Sequence, residues 1–430
     1  MSTAPQASAV QHGSFRLYLG AIVLGTLGIQ IQGVAVAWQV FQLTESDTAN
    51  AALALGAIGL AEVIPFVGAV LFAGHVADTQ NRRRIAFWAI AAMTLLGVGL
   101  FAQSLLQLET WVQLTCLYAM VMLGGLARSF LTTARQAMIA ELIPRELIPS
   151  GVRWRNTLFE LACVIGPGLA GLLIWLGGEP LAYGLMLGCF VGSLVATSLL
   201  KPTQLLQSRT PEPILQSLSA GIRFICNHRI MLGPFTMDLF AVLLGGAVAL
   251  LPIFAQMLGV NELGFGLLRA ATSMGAVVMS IYLIIRPPLE RAGPALYASF
   301  AVFGICIIGF GLSIPLASEL GFGLQAAFVL SFLFLLISGA ADAVNVIIRQ
   351  TILQTTVPPE MMGRVSAVTA VFIGCSNELG MAESGLAARL LGTVNSVVFG
   401  GLATFGVMGL THWRFPELWH LRKVGQEPTK

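Results

Sequence analysis

Charge is the scarcest material in this sequence. Of 430 residues only 23 are Lys or Arg and 20 are Asp or Glu, so 10% of the side chains are charged, against about 25% in ordinary soluble domains. A chain so poor in charge could not cover a water-facing surface, which excludes a soluble enzyme or binding module. Histidine is rarer still. The five (His12, His75, His228, His412 and His420) fall at the edges of apolar runs or in the tails, and no metal or acid–base centre is expected from them. Cysteine offers no framework either. Cys116, Cys163, Cys189, Cys226, Cys306 and Cys375 are scattered singly, without the spacing of metal ligands or of a redox pair, and read as small apolar packing residues. Met1–Ser14 lacks a charged stretch leading into a short apolar core with a cleavage site. No removable signal is therefore expected, and the first apolar run serves as the insertion signal. No loop clusters His, Asp and Glu or sets a nucleophile beside a base, which argues against a membrane-embedded enzyme. No cofactor and no nucleic-acid partner is expected.

What is abundant is hydrocarbon. Hydrophobic residues make up 56% of the chain, and the mean hydropathy is +0.84. About 20 apolar residues cross a bilayer. Twelve such runs are present, at about 16–42, 50–77, 85–107, 111–140, 151–176, 180–200, 230–258, 262–286, 294–317, 322–353, 361–391 and 393–413. The expected fold is an all-α membrane protein, with the lipid bilayer as its first partner. Connections after even-numbered spans carry Arg82–Arg84, Arg145, Lys201, Arg209, Arg223, Arg229, Arg286, Arg291 and Arg364. Those after odd-numbered spans carry Glu45, Asp47, Glu109, Glu179, Glu262 and Glu319. Basic loops are retained in the cytoplasm during insertion, which predicts a cell-membrane protein with both termini inside. The longest connection divides the chain into 1–200 and 230–413, each with six spans, leaving 201–229 as a linker and 414–430 as a cytoplasmic tail. In the linker, Ile214, Leu215, Leu218, Ile222 and Ile225 share one helical face, the pattern of a short helix lying along the membrane surface.

The two halves repeat. One shift of 214 positions carries Arg135-Gln136 onto Arg349-Gln350, Pro144 onto Pro358, Glu146 onto Glu360, Gly166 onto Gly380, Gly171 onto Gly385 and Arg128 onto Asp342. Two pseudo-symmetric six-helix bundles around a midplane cavity are what alternating access by rigid-body rocking requires. The tight connection Gly74-His75-Val76-Ala77-Asp78-Thr79-Gln80-Asn81-Arg82-Arg83-Arg84, between spans two and three, has one acid and three consecutive arginines. It resembles the Gly-x-x-x-Asp-Arg-x-Gly-Arg-Arg loop of the major facilitator superfamily. Gly74, Asp78, Arg82, Arg83 and Arg84 match it, while Thr79 and Asn81 replace its usual Arg and Gly. The resemblance implies a gating role for this loop beyond anchoring the topology.

Gly166-Pro167-Gly168-Leu169-Ala170-Gly171, in the fifth span, is similar to the Gly-Pro-x-x-Gly-Gly element of the proton-antiporter branches, with Ala170 in place of one Gly. Physically, small residues let helices approach closely, and Pro167 removes a backbone donor and permits a kink. Further along come Ser219-Ala-Gly-Ile-Arg-Phe224, Ala341-Asp342, Arg349-Gln350, Gln354, Pro358, Glu360, Gly363-Arg364-Val365, Asn377-Glu378-Leu379-Gly380 and Glu383-Ser384-Gly385. This run resembles the enterobactin-exporter-like, or transmembrane secretion effector, subfamily, which includes macrolide efflux relatives. The resemblance covers essentially the whole chain. It implies twelve helices, a central cavity, and outward transport of siderophores or other bulky small molecules driven by protons. A monomer is expected. Uptake or symport is the competing transport reading, since fold does not set direction; a lipid-translocating protein is the reading from another class.

A charge near the bilayer centre costs at least about 3 kcal/mol unless it pairs or faces water, so each one inside a span is a functional candidate. Asp238, Asp342 and Glu62, in that order, are candidates for carrying the proton, each against the alternative of a carboxyl permanently paired. Spans 1, 4, 7 and 10 line the cavity in the superfamily. That favours Arg128, Asp238 and Asp342, with Gln30 and Trp38 of the first span as uncharged groups for the cargo. Arg128 and Asp342 occupy equivalent positions in the two halves, which suggests an ion pair locking the cytoplasmic side. The alternative is that each pairs within its own half, Asp342 with Arg349.

Overall fold

A computed structural model of the chain describes residues 9–106, 108–144, 147–201, 214–285, 291–358 and 361–421. Among these residues every regular element is a helix. A bilayer requires this, because no water is present to pair a backbone N–H or C=O left open. The helices are α1 (Gly13–Thr44), α2 (Thr48–Thr79), α3 (Arg82–Leu105), α4 (Thr110–Leu142), α5 (Ile148–Ser198), α6 (Ile214–Asn227) and α7 (Arg229–Leu244). They continue with α8 (Leu251–Met257), α9 (Glu262–Ile285), α10 (Ala292–Gly311), α11 (Ser313–Glu319), α12 (Leu324–Thr356), α13 (Met362–Leu391) and α14 (Thr393–Arg414). Large apolar side chains such as Trp88, Leu95 and Ile285 stand exposed, which lipid permits and water would not.

Eleven stretches among the described residues are long and apolar enough to span, and one of them counts twice. The 51 residues of α5 would reach about 75 Å at 1.5 Å per residue, more than two bilayer cores. The helix breaks in its middle at Gly177 (φ −156°, ψ 20°) and Gly178 (φ 73°, ψ −175°). The second of these conformations is open essentially to glycine alone. The two arms are the fifth and sixth of twelve spans. The seventh span, expected unbroken over 230–258, is interrupted: α7 stops at Leu244, Gly245 and Gly246 leave the helical path, and a 3-10 turn at Ala247–Leu250 leads into α8. Irregular backbone at this depth needs a partner, and the Ser384 hydroxyl of α13 supplies one by donating to the Gly246 carbonyl at 2.6 Å.

The helices form two compact units, Met1–Val36 with Ala61–Glu212, and Ala37–Leu60 with Pro213–Lys430. In the second unit, the end of α1 and the start of α2 pack on α9 and α13. Trp38 stacks on Phe265 with ring centroids 5.3 Å apart. Gly56 lies so close to Gly385 that a Cβ on it would come within 3.0 Å of the Gly385 Cα. The linker helix α6 belongs to this unit as well. Its apolar stripe is not simply laid on lipid, because Gly221 lets its backbone approach the Arg364 carbonyl and Val368 of α13. Ile225 is accordingly buried with Met231, Val365 and Val368, while Ile222 remains exposed. In the tail Phe415, Leu418 and Leu421 are buried in the core, and residues 422–430 lie outside those described.

The break in α5 gives a first test. Gly178→Ala should destabilise the protein by about 1–3 kcal/mol through its positive φ, read as a lower apparent Tm in detergent, whereas Gly188→Ala, which meets nothing within 4 Å, should leave Tm unchanged.

Candidate functional site

The motif between the second and third spans is mostly helix. Gly74 and Asp78 belong to the last turns of α2; their surroundings lie outside the described residues. Only Gln80 and Asn81 separate the two helices. Asn81 caps α3, its side chain accepting from the Arg84 N–H at 3.3 Å, an arrangement that satisfies one of the open donors of a helix start. Arg82 donates to Glu141 at the end of α4 at 2.9 Å, and Arg83 donates to the Ser198 carbonyl at the end of α5. Burial pushes the Glu141 carboxyl up from its ordinary pKa, and the Arg82 guanidinium pulls it back. The arginine run thus ties the ends of three helices, a role beyond topology that follows from its reach.

Inside the first unit, Glu62 of α2 forms an ion pair with Arg128 of α4. The helices are brought together one turn away, where a Cβ on Gly125 would come within 2.6 Å of the Glu62 carbonyl. Arg128 also lies over the Phe66 ring, 5.8 Å from its centroid, one turn along α2 from Glu62. One partner of Arg128 is therefore an acid on its own half. Gln30 of α1 packs on the antiporter-like element, where a Cβ on Gly166 would come within 2.5 Å of the Gln30 Cβ. Pro167 is buried, and Gly168 and Gly171 continue the same helix. Trp38 is buried against Phe265 and Phe41.

In the second unit the chemistry gathers around Asp238 of α7. Arg349 of α12 donates to one of its carboxylate oxygens, and Asn345, one turn earlier on α12, donates to the other at 2.7 Å. Arg349 lies over the Phe235 ring, 5.7 Å from its centroid. All three polar residues are almost fully buried, Asp238 at 4% exposure, Asn345 at 2% and Arg349 at 6%. Asp342, Asn345 and Arg349 are spaced three and four apart on α12 and so share one face. Asp342 is half-buried, about 10 Å along the axis from Arg349 at 1.5 Å per residue.

The repeat shows why this cluster differs from its counterpart. Arg135 of α4, equivalent to Arg349, donates to the Ala21 carbonyl of α1 at 2.9 Å and to the Ser193 hydroxyl of α5 at 2.8 Å. Positions 24 and 131, equivalent to 238 and 345, are both leucine. The same arginine is thus held by neutral oxygens in one half and by a carboxylate in the other. Sequence reading missed Asn345 and Ser193, but the polar-for-leucine exchange across the repeat was a signal for the former. Among the described residues no group of three or more His, Cys, Asp or Glu side chains comes together to hold a metal.

Breaking a buried ion pair strands a charge and costs about 3–5 kcal/mol. Arg349→Ala should therefore lower stability strongly, and adding Asp238→Asn should restore part of the loss. Thermal unfolding of the single and double variants in detergent measures this, and losses that simply add would show that the two residues do not act as a pair.

Comparison with known proteins agrees with this geometry. The family model described as transmembrane secretion effector matches residues 4–421. The enterobactin exporter EntS of Shigella flexneri is 28% identical over 426 residues, covering 97% of this chain and 94% of that one. EntS of Escherichia coli strain K12 is 27% identical over 422 residues, covering 97% and 95%. Among solved structures, a D-xylose-proton symporter superposes with a TM-score of 0.69 at 14% identity, covering 95% of this chain and 98% of the other. A bacterial homologue of the iron transporter ferroportin, in an inward-facing state, gives 0.67 at 15% identity, covering 94% and 98%. These likenesses show the major facilitator fold. The chain belongs to the transmembrane secretion effector family of that superfamily, and it is a multi-pass membrane transporter of small molecules.

Proposed function

We propose that the protein exports a bulky organic molecule of the siderophore class, exchanging it for protons by alternating access, with both termini in the cytoplasm. The observation that carries the coupling is the buried contact of Asp238 with Arg349 and Asn345. A buried carboxylate can be neutralised either by an arginine or by a proton, and each weakens the claim of the other. Proton arrival at Asp238 releases Arg349 and loosens α7 from α12; proton loss draws the two helices together again. Ligand and proton then compete through one two-state element, which is what exchange requires. Glu62 with Arg128 is a more exposed version of the same device, and Asp342 places a further acid on the Arg349 face of α12. Asp78 and the arginines after it act as the cytoplasmic lock, Gly166 lets α5 approach Gln30 of α1, and Gln30 and Trp38 belong to the cavity and its gate. Export rather than uptake, and the cargo class, are supported by the relatives named as enterobactin exporters.

Enterobactin is the probe for direct measurement. In vesicles holding the protein, enterobactin inside and a pH-sensitive dye in the lumen, cargo exit should acidify the lumen, and Asp238→Asn should abolish the acidification while leaving the protein inserted. Alkalinisation would establish symport, and an unchanged signal in the variant would remove Asp238 from the coupling. Orientation is tested by the native Cys226, which is exposed on α6. An impermeant maleimide should label it in inverted vesicles and not in intact cells; labelling of intact cells would reverse the topology.

A further inference from the structure

The chain does not leave the protein where α14 ends. Phe415 turns the backbone (φ −134°, ψ 63°) and Pro416–Leu418 form one 3-10 turn, so that the segment folds back over the starts of α7 and α10. Leu418 is 1% exposed. With Phe415 and Leu421 it joins the apolar cluster that holds Met231 and Met237 of α7, Leu296 of α10, and Ile348 and Ile352 of α12. Two helices make room for it. A Cβ on Gly233 of α7 would collide with the Leu418 side chain, and one on Gly293 of α10 would collide with the Leu418 carbonyl. The Gly293 N–H donates to the Leu421 carbonyl at 2.9 Å. At the rim, Arg229 at the start of α7 pairs with Glu417 at 2.8 Å, and Trp419 packs beside Tyr297 with ring centroids 5.5 Å apart.

α7 needs such a support. It is 16 residues long, is joined to α6 only through His228, and is interrupted above by Gly245 and Gly246. Neither end carries an unbroken helical path into α7, so contacts with its neighbours set its height and rotation. Gly233 is about 7.5 Å along the axis from Asp238 at 1.5 Å per residue. Met237 and Ile348, which share the cluster with Leu418, are the chain neighbours of Asp238 and Arg349. We propose that Phe415–Leu421 is a peg that positions α7 against α12 and thereby sets the Asp238–Arg349–Asn345 contact. Its importance for transport rests on the reading of Asp238 as the proton site; its structural effect does not.

The test uses the full chain in lipid nanodiscs. Leu418→Ala empties the seat, and Gly293→Ala displaces the peg without altering any peg or α7 side chain. Leu418→Met is the conservative control. In both disruptive variants, hydrogen exchange of α7 and of residues 345–349 should rise about tenfold while α3 and α4 are unchanged, since local opening tracks local packing. The infrared carboxyl band that Asp238→Asn removes should shift in both, and Leu418→Met should match the parent in exchange and in band position. Faster exchange confined to 415–421 and the start of α10, with α7 and the band unmoved, would overturn the proposal. Failure of the proton reading is seen separately, as proton movement that survives Asp238→Asn while the peg variants still shift the band.

Discussion

A charge taken out of water must be given a partner, and three arginines inside the spans of this protein show three ways of doing so. Arg135 uses a carbonyl and a hydroxyl, Arg128 uses Glu62 and the Phe66 ring, and Arg349 uses Asp238 and the Phe235 ring. Each solution joins helices distant in sequence, so satisfying the charge also fixes how those helices face one another. Only the pairings with a carboxylate can be switched by a proton. The duplicated arginine therefore sits on neutral oxygens in the first half and on a protonatable group in the second, where Asp238 and Asn345 stand in place of Leu24 and Leu131.

The charged pairs depend in turn on what is absent beside them. Lipid supplies no hydrophobic drive between helices, so close contact relies on small residues. Gly125 brings α2 to α4 where Glu62 must meet Arg128, and Gly233 admits the tail that supports α7 below Asp238. Electrostatics at the site and packing around it are one design, because an ion pair between helices is only as well placed as the backbones that carry it.

Much of this architecture was legible in the sequence. Spans of about 20 apolar residues are a demand of the bilayer, and they lie within a few residues of their expected positions except the ninth, expected over 294–317, whose helix stops at Gly311 before a separate helix at Ser313–Glu319. Hydropathy does not report interruptions: Gly245 and Gly246 are apolar by composition yet end α7, and Ser384 makes the break tolerable from 138 positions away. The burial of the tail was not legible for a related reason, since Phe415, Leu418 and Leu421 are too few and too irregular to show a period, and their seat depends on Gly233 and Gly293 of other helices. Asp238 and Arg349 could be named from their rarity inside spans, but their pairing could not. Symmetry pointed Arg128 toward Asp342, and its ion pair with Glu62 of α2 was not legible.

The central claim is that cargo and proton compete through the carboxyl of Asp238. Calorimetry of enterobactin binding to the purified protein, in buffers of different ionisation enthalpy, counts the protons exchanged on binding. The account predicts that protons are released on enterobactin binding in a number that follows the protonated fraction of Asp238, a fraction of one where that carboxyl is partly protonated, and that the number falls to zero in Asp238→Asn. The same proton count in parent and variant would contradict it.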